Sequence, residues 1–256
     1  MAVAARAVRA LAPAAFGVTT IAAATAAVEW LLRTGLLNRY IVPLPSEVLA
    51  SVPRIVVEEN ILGPFLVTSK ECLYAMLLVA GVGTAAGTLL YRFAALRAAT
   101  ETWVAALASA PFALMYPLFL VLFGRTTTTV VAMGFIAGLP PVILKTVEGL
   151  SGARRVLIDV GRSFNLTAGQ MLTKILLPAA LPTIFVGLRL GLIFCLINIV
   201  GVEYMINFGG LGYVINDLAE RYDLPGTYAA IGFVILTSVL FFIVTERIER
   251  WLRPQS

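Results

Sequence analysis

The chain has 256 residues, of which 60% are hydrophobic and 13% are charged, and its net charge at pH 7 is +5. This composition excludes a water-soluble globular protein, because so few charged residues cannot cover a soluble surface. The absence of histidine excludes imidazole-based catalysis and histidine-ligated metals. The chain is therefore expected to be an all-α integral membrane protein that forms a single transmembrane domain over residues 1–256.

Six segments are apolar over about 20 residues, the length of helix that crosses a bilayer. They lie near residues 11–32, 66–90, 100–123, 127–147, 182–206 and 227–245. The first follows two arginines, as a signal peptide does, but it is too long for the hydrophobic region of one and ends at Glu29 and Trp30. It is therefore predicted to be a retained helix.

Residues 34–65 separate the first two predicted spans and form the predicted external loop. Three prolines punctuate this loop, at positions 43, 45 and 53. Ser46 is predicted to cap a short helix that lies at the membrane surface, because serine is among the preferred residues at helix N-termini.

Prolines within the third and fourth spans predict bent helices. Pro111, Pro117 and the Pro140–Pro141 pair each remove a backbone hydrogen-bond donor. A broken helix is tolerated at membrane depth where its backbone lines a cavity or is covered by protein. The candidates for the translocation path that follow are Ser109, Met115, Tyr116 and Asn198. The alternative is that these prolines only shape helix packing.

Small residues in the spans predict close contact between helices. Three Gly-x-x-x-Gly pairs occur, Gly83/Gly87, Gly134/Gly138 and Gly187/Gly191. They are expected to pack helices within the chain rather than to form a dimer seam. Cys72 and Cys195 fall in apolar helical segments and are predicted to be buried free thiols. The polar run Thr126–Thr129 is predicted to cap the fourth span.

Three polar residues inside the spans have both functional and structural interpretations. Arg189 could contact an anion in the pathway, form a structural ion pair or extend toward the interface. Glu203 could gate the mouth of the pathway or orient the loop that carries Gly209 and Gly210. Asn198 could face solute or bridge two helices.

The longest charged stretch lies between the fourth and fifth spans, within residues 148–181. Its charged residues are Arg154, Arg155, Asp159, Arg162 and Lys174. Leu157, Val160, Gly161 and Phe164 follow the spacing of one helical stripe. Asn165 then suits the left-handed residue that ends a helix, and Thr167 with Gln170 forms a capping box for a second helix. The pattern predicts two short amphipathic helices that form a docking surface.

The distribution of basic residues orients the chain. Placing both termini in the cytoplasm puts twelve of the 19 basic residues inside, six outside and Arg189 within a span. This arrangement satisfies the positive-inside rule and places residues 148–181 in the cytoplasm. The positive charge is thus explained mostly by topology, and the expected partners include membrane lipid but no nucleic acid.

The Val156–Pro182 segment resembles the cytoplasmic coupling loop of binding-protein-dependent ABC importer permeases. The family pattern is Glu-Ala-Ala, three residues, Gly, nine residues and Ile-x-Leu-Pro. The corresponding residues here are Asp159-Val160-Gly161, Asn165, Ile175 and Leu177-Pro178. Asp keeps the charge of Glu, and Asn keeps access to the left-handed turn.

Three further runs resemble the nitrate/sulfonate/taurine branch of that family. They are the runs Leu44–Leu49, Ala110–Leu118 with Phe123-Gly124, and Val202–Met205 with Gly210–Tyr213. The ordered agreement covers roughly residues 43–250. The resemblance implies a type I ABC importer permease in a bacterial inner membrane that imports a small, usually anionic solute such as nitrate, a sulfonate or taurine.

The resemblance also implies a set of partners. These are a cytoplasmic ABC ATPase dimer, a periplasmic or lipid-anchored solute-binding protein, and a second permease copy in a homodimer or heterodimer. The residues implied to couple to the ATPase are Leu157, Asp159, Val160, Gly161, Phe164, Asn165, Leu166, Thr167 and Gln170. No Gly-x-x-x-x-Gly-Lys-Ser/Thr loop occurs, so ATP and magnesium are expected in the partner subunit and no cofactor or enzymatic activity in this chain.

Two other classes of membrane protein compete with the importer interpretation. A secondary transporter driven by an ion gradient would be expected to carry acidic residues near the membrane midplane and internal repeats. The sequence shows no repeat and no clear central acid, since Glu203 lies near the end of its span. A membrane enzyme would need converging acid, base or metal ligands, and the pattern shows none.

Overall fold

The computed structural model describes the backbone of residues 2–252 and the side chains of residues 16–247, and every regular element in that part is helical. The helices are α1 (Ala2–Arg33), α2 (Pro45–Val57), α3 (Leu62–Arg92), α4 (Ala94–Ala108), α5 (Tyr116–Phe123), α6 (Thr127–Ser151), α7 (Arg155–Ser163), α8 (Ala168–Ile206), α9 (Leu211–Glu220) and α10 (Leu224–Leu252). A 3₁₀ turn at Phe112–Met115 precedes α5. One π-helical turn interrupts α3 at Val79–Gly83 and another interrupts α8 at Leu172–Leu176.

Four of the described helices are long and apolar enough to cross a membrane: α3, α6, α8 and the Leu224–Arg247 part of α10. The α4–α5 pair adds a fifth candidate, although its two halves meet at 91°. The described residues therefore hold four or five candidate spans, whereas the sequence predicted six. The first predicted span begins at residue 11, and the side chains of residues 11–15 lie outside the described part.

The structure differs most from the prediction in the third predicted span, residues 100–123. Instead of one kinked helix, two helices meet at nearly a right angle on either side of Pro111. Pro117 does not bend a helix interior, because it lies in the first turn of α5, where proline removes no helical hydrogen bond. By contrast, α6 runs through Pro140 and Pro141 without a break, and both prolines are buried.

The central pair of the bundle is α6 and α8, and α3 packs against both. A Cβ atom at Gly134 would lie 2.7 Å from Ile199 Cγ1, and one at Gly138 would lie 2.9 Å from the carbonyl oxygen of Gly191. Glycine is required there because any side chain would push the two helices apart.

All six residues of the predicted glycine pairs lie close to another helix of the same chain. The prediction that they pack helices within the chain is confirmed. Cys72 and Cys195 are likewise buried in this core as free thiols, as predicted.

One predicted helix cap is wrong, and a second lacks a side-chain hydrogen bond to its helix. The helix in the 34–65 loop begins at Pro45, with Leu44 as its N-cap. Ser46 lies inside its first turn, and the hydroxyl of Ser46 donates to Glu29 Oε1 at 2.8 Å. At the start of α6, the hydroxyl of Thr126 donates to the Phe123 carbonyl and that of Thr129 to the Gly124 carbonyl. Thr126 is the N-cap residue of α6, as predicted for this run, but its hydroxyl accepts no N–H group of that helix.

Candidate functional site

The segment predicted to dock a partner forms two helices joined by one tight turn. After Gly152 ends α6, α7 covers Arg155–Ser163 and α8 begins at Ala168. Asn165 has the left-handed conformation, with a φ of 51°. Its N–H group donates to the Arg162 carbonyl at 2.9 Å, and the next N–H, of Leu166, donates to the Gly161 carbonyl at 3.1 Å. These bonds satisfy the last carbonyls of α7, so the turn is fixed as predicted.

The start of α8 is held by a reciprocal capping box. The N–H of Gln170 donates to Thr167 Oγ1 at 3.3 Å, and the N–H of Thr167 donates to Gln170 Oε1 at 2.9 Å. Two otherwise unpaired N–H groups are thereby satisfied, which confirms the predicted box. These hydrogen bonds restrict the backbone torsion angles of the turn between α7 and α8.

The apolar stripe of α7 divides into one inward residue and three outward ones. Gly161 is buried, and a Cβ atom there would lie 2.6 Å from both Met171 Cε and Ile175 Cδ1 of α8. Leu157, Val160 and Phe164 are exposed, Phe164 by 76%. Gly161 was predicted to couple to a partner together with these three residues, and in the structure it faces α8. It allows α7 to lie directly on α8.

The polar residues of the segment are exposed. Asp159 forms an ion pair with Arg162 at 3.4 Å, and both side chains are largely exposed. Asn165, Thr167 and Gln170 are exposed as well, and Leu166 is half-buried. The surface of α7 is therefore an apolar patch of Leu157, Val160 and Phe164 with charged residues beside it. Exposed apolar patches with a polar rim are typical of protein interaction sites.

A cavity of about 1110 Å³ lies between the start of α8 and the helix α3. Small and apolar residues line most of it, among them Gly81, Thr84 and Ala85 on α3 and Met171 and Leu172 on α8. The two helices are thus separated by open space at this end of the bundle. Core packing alone does not fix the first turns of α8 on that side.

The six residues predicted to line a translocation path lie in separate places. Ser109 and Met115 are exposed at the break between α4 and α5, and the hydroxyl of Ser109 donates to the carbonyl of Ala106 in its own helix. Tyr116 packs against the central core. Asn198 on α8 donates to the Phe194 carbonyl of its own helix, so it does not bridge two helices by this bond.

Arg189 lies between α8 and α10. Its guanidinium carbon is 5.3 Å from the centre of the Phe242 ring, in cation–π geometry. Ser238 and Thr245 line the same small cavity of about 270 Å³. Arg189 is therefore placed in a helix contact and not beside the other five predicted path residues.

Glu203 is fully buried near the end of α8. Its Oε1 accepts the hydroxyl of Thr68 at 2.7 Å, and its Oε2 accepts the N–H of Gly212 at 2.9 Å. A Cβ atom at Gly210 would overlap the Glu203 carboxylate. The geometry is that of the loop-orienting alternative, because this carboxylate holds the first turn of α9 against α3.

Sequence reasoning missed Glu71, which lies on α3 beside Glu203. Only 1% of its surface is exposed. One signal was present, since Glu71 is the one acidic residue within the predicted 66–90 span.

Ion pairs join α2 to the turn between α9 and α10. Arg54 pairs with Asp223, and Arg221 pairs with Glu59 at 2.9 Å and also with Asp217. Asp223 accepts a hydrogen bond from Arg54 and thereby raises the pKa of that guanidinium above its ordinary value. These pairs fasten α2 to the turn beside the start of α10.

The family described as the binding-protein-dependent transport system inner membrane component matches residues 78–254 of this chain. The chain belongs to this family. The matched residues include α7, α8 and the turn between them, together with the buried Glu203. The protein is therefore a membrane-embedded component of a transport system.

Three similar proteins place the family match in context. The putative aliphatic sulfonates transport permease protein SsuC of Bacillus subtilis strain 168 is 25% identical over 223 residues, which cover 86% of this chain and 77% of SsuC. The taurine transport system permease protein TauC of Escherichia coli K12 is 27% identical over 138 residues, which cover 54% of this chain and 50% of TauC. Among solved structures, the inward-facing MetNI methionine ABC transporter matches with a TM-score of 0.67 and 20% identity, over 76% of this chain and 96% of that chain. At 20% identity, the similarity to MetNI shows only that the two chains share a fold.

Proposed function

We propose that this permease is the transmembrane subunit of an ATP-driven importer and that residues 154–176 transmit the movement of a separate ATPase. The observation that carries the proposal is the exposed apolar patch of Leu157, Val160 and Phe164 on a helix that is seated on α8. The exposed Phe164 ring adds no stability to the isolated chain, whereas a groove on a partner would remove the ring from water. Aromatic side chains such as Phe164 dominate the energetics of protein interfaces.

Helix α8 supplies the mechanical connection. It runs from Ala168 through Ile206, a length of about 58 Å at 1.5 Å per residue. The helix that begins at the docking turn therefore ends at Ile206, one turn beyond Glu203 and beside α9. A displacement at its first turn is carried along the bundle as a rigid-body movement, and the cavity beside α3 leaves room for it. Coupling between two sites needs a structural element whose conformation both sites influence. We infer that α8 is this element, because it connects the docking turn to the turn beside α9.

The proposed partners follow from this arrangement. ATP and magnesium would bind to two cytoplasmic ATPase subunits, since this chain carries no loop that could cradle the phosphates. An extracytoplasmic binding protein would deliver solute at the end of the bundle that carries α2 and the α9–α10 turn. A second permease copy, identical or related, would complete the pathway. In the proposed orientation both termini would lie in the cytoplasm of a bacterium and the chain in the inner membrane.

The proposed solute is a small organic anion of the sulfonate or taurine type. The similarity to SsuC and TauC supports this choice, since their names refer to aliphatic sulfonates and taurine. Arg189, which could contact an anion in the pathway, lies in the helix contact between α8 and α10.

Reconstitution in liposomes tests the function. The chain is combined with its ATPase and binding protein, and ATP hydrolysis is measured with and without taurine or an alkanesulfonate. We expect solute and binding protein together to stimulate hydrolysis. An ATPase variant that cannot hydrolyse ATP is the control and should abolish uptake. Uptake that continues with this variant under an ion gradient would overturn the proposal and favour a secondary transporter.

A further inference from the structure

Two acidic side chains are buried next to each other at the end of α8 that lies far from α7. Glu71 is on α3 and Glu203 is on α8, and their exposed fractions are 1% and 0%. Both helices are candidate membrane spans. A charged carboxylate is costly in such surroundings unless it is paired, and buried acids in spans commonly mark functional sites.

Glu203 has the partners that an anion requires. It accepts one hydrogen bond from the Thr68 hydroxyl and one from the Gly212 N–H, and that hydroxyl accepts the N–H of Leu211. Leu211 and Gly212 form the first turn of α9, where the helix dipole favours a negative charge. These donors favour the ionised form of Glu203 and partly offset the cost of its burial.

Glu71 has no such partners. Neither of its carboxyl oxygens accepts a hydrogen bond from any residue between 16 and 247. The side chains near Glu71 include the Glu203 carboxyl, the Cys72 thiol and the Thr127 hydroxyl. The basic residue Arg125, next to α6, donates to the Asn207 carbonyl instead of to either acid. A buried carboxylate left in this state would lose its hydration without compensation.

We propose that Glu71 and Glu203 form a binding site for one proton, which Glu71 carries and donates to Glu203. The neutral acid at Glu71 removes the uncompensated charge, and its O–H group supplies a further donor to the Glu203 carboxylate. Two adjacent carboxylates in apolar surroundings do not both ionise, because their negative charges repel each other and burial removes the water that would stabilise them. The ligand of the site is thus a proton, and the site is distinct from the docking patch on α7.

The proton also controls how firmly α9 is held. Without it, two anions would repel each other, and Glu203 is the residue that holds Gly212 and, through Thr68, Leu211. Loss of the proton at high pH should therefore loosen the first turn of α9. Because the folded protein binds a proton that the unfolded chain releases, stability should fall as pH rises.

Infrared spectroscopy on the full chain in lipid nanodiscs tests the proton directly. At neutral pH we expect the carbonyl stretch of a protonated carboxylic acid, shifted in D₂O. It should disappear in Glu71→Gln, an isosteric change that keeps a donor toward Glu203. The control is Glu101→Gln, which removes an acid that is paired with Arg97 at 2.7 Å and should leave the band unchanged. A band that is absent in the wild type, or that persists in Glu71→Gln, would overturn the proposal.

A second measurement separates a proton from a metal cation. The melting temperature of the wild type should fall between neutral and alkaline pH, whereas that of Glu71→Gln should change much less. Hydrogen exchange of the Leu211 and Gly212 amides should accelerate over the same pH range in the wild type alone. If replacing choline by sodium at constant pH stabilises the wild type but not Glu71→Gln, the site binds a cation and the proton assignment is wrong. Neither experiment requires the ATPase or the solute, so each result is independent of the proposed importer function.

Discussion

Gly161 lies so close to Met171 that a Cβ atom at position 161 would come within 2.6 Å of the Met171 methyl carbon. This contact lets the docking helix α7 rest directly on the first turns of α8. Two helices that touch along a glycine face move together, whereas helices separated by a side chain can shift relative to each other. The contact is therefore the point where a push on α7 would enter the membrane bundle.

Replacing Gly161 by valine should weaken coupling more than it weakens folding. The added side chain would displace Met171 and Ile175 at a cost of about 1–3 kcal/mol. Solute-stimulated ATP hydrolysis should fall several-fold while insertion into the membrane is retained. Gly169→Ala is the matched control, since a Cβ atom at Gly169 meets nothing within 4 Å. Equal activity in both variants would show that the α7–α8 contact does not transmit movement.

Removing the Phe164 ring should reduce ATPase binding without destabilising the permease. The side chain is 76% exposed, so Phe164→Ala creates no cavity in the isolated chain. If the ring is buried on binding, its loss should reduce the binding free energy by about 2 kcal/mol, which corresponds to roughly 30-fold weaker association.

The control for Phe164 is Trp103→Ala, which truncates an aromatic side chain on α4 that is 73% exposed. Co-purification and ATPase titration in nanodiscs provide the measurement. An unchanged affinity for the ATPase in Phe164→Ala would remove the exposed patch from the proposed interface.

The turn at Asn165 should tolerate glycine but not valine. Asn165 has a φ of 51°, and a β-branched residue resists this conformation. A left-handed non-glycine residue costs about 1–2 kcal/mol, so Asn165→Val should misplace α7 and lower solute-stimulated ATPase activity. Asn165→Gly keeps the turn and should retain activity. Asp159→Lys reverses an exposed charge beside the patch and should also lower solute-stimulated ATPase activity while the permease stays inserted.

Features set by neighbouring residues were the ones that the sequence predicted well. The left-handed Asn165 and the Thr167–Gln170 box depend on spacings of a few residues, and both formed as expected. The glycine pairs were also interpreted correctly, because a small residue every fourth position makes one flat helix face.

Features set by distant residues were missed. Ser46 fits a helix cap locally, but Glu29 of α1 accepts its hydroxyl and its N–H group from 17 residues away. Glu71 and Glu203 meet only because α3 packs against α8, and nothing in the spacing along the chain indicates that contact. The 91° break at Pro111 likewise exceeds the kink that a proline in a helix predicts.

Among the glycines that connect α8 to α9, Gly210 should be the one whose substitution destabilises the protein most. It has a positive φ of 29°, and a Cβ atom would overlap the carboxylate of Glu203. Gly210→Ala must therefore displace Glu203 from the Gly212 N–H or move the whole turn. Backbone strain alone costs about 1–3 kcal/mol, and the broken hydrogen bonds add to it, so the melting temperature should drop by several degrees.

The matched control for Gly210 is Gly201→Ala on α8, where a Cβ atom would meet nothing within 4 Å. Alanine is favoured over glycine in a helix by about 1 kcal/mol, so this variant should be neutral or slightly more stable. Thermal unfolding in nanodiscs, followed with hydrogen exchange at Leu211 and Gly212, distinguishes the two. If Gly210→Ala unfolds at the wild-type temperature with unchanged exchange at these amides, the Glu203 carboxylate does not hold the start of α9. In that case, a change in the charge of Glu203 could not act on α9 through this contact.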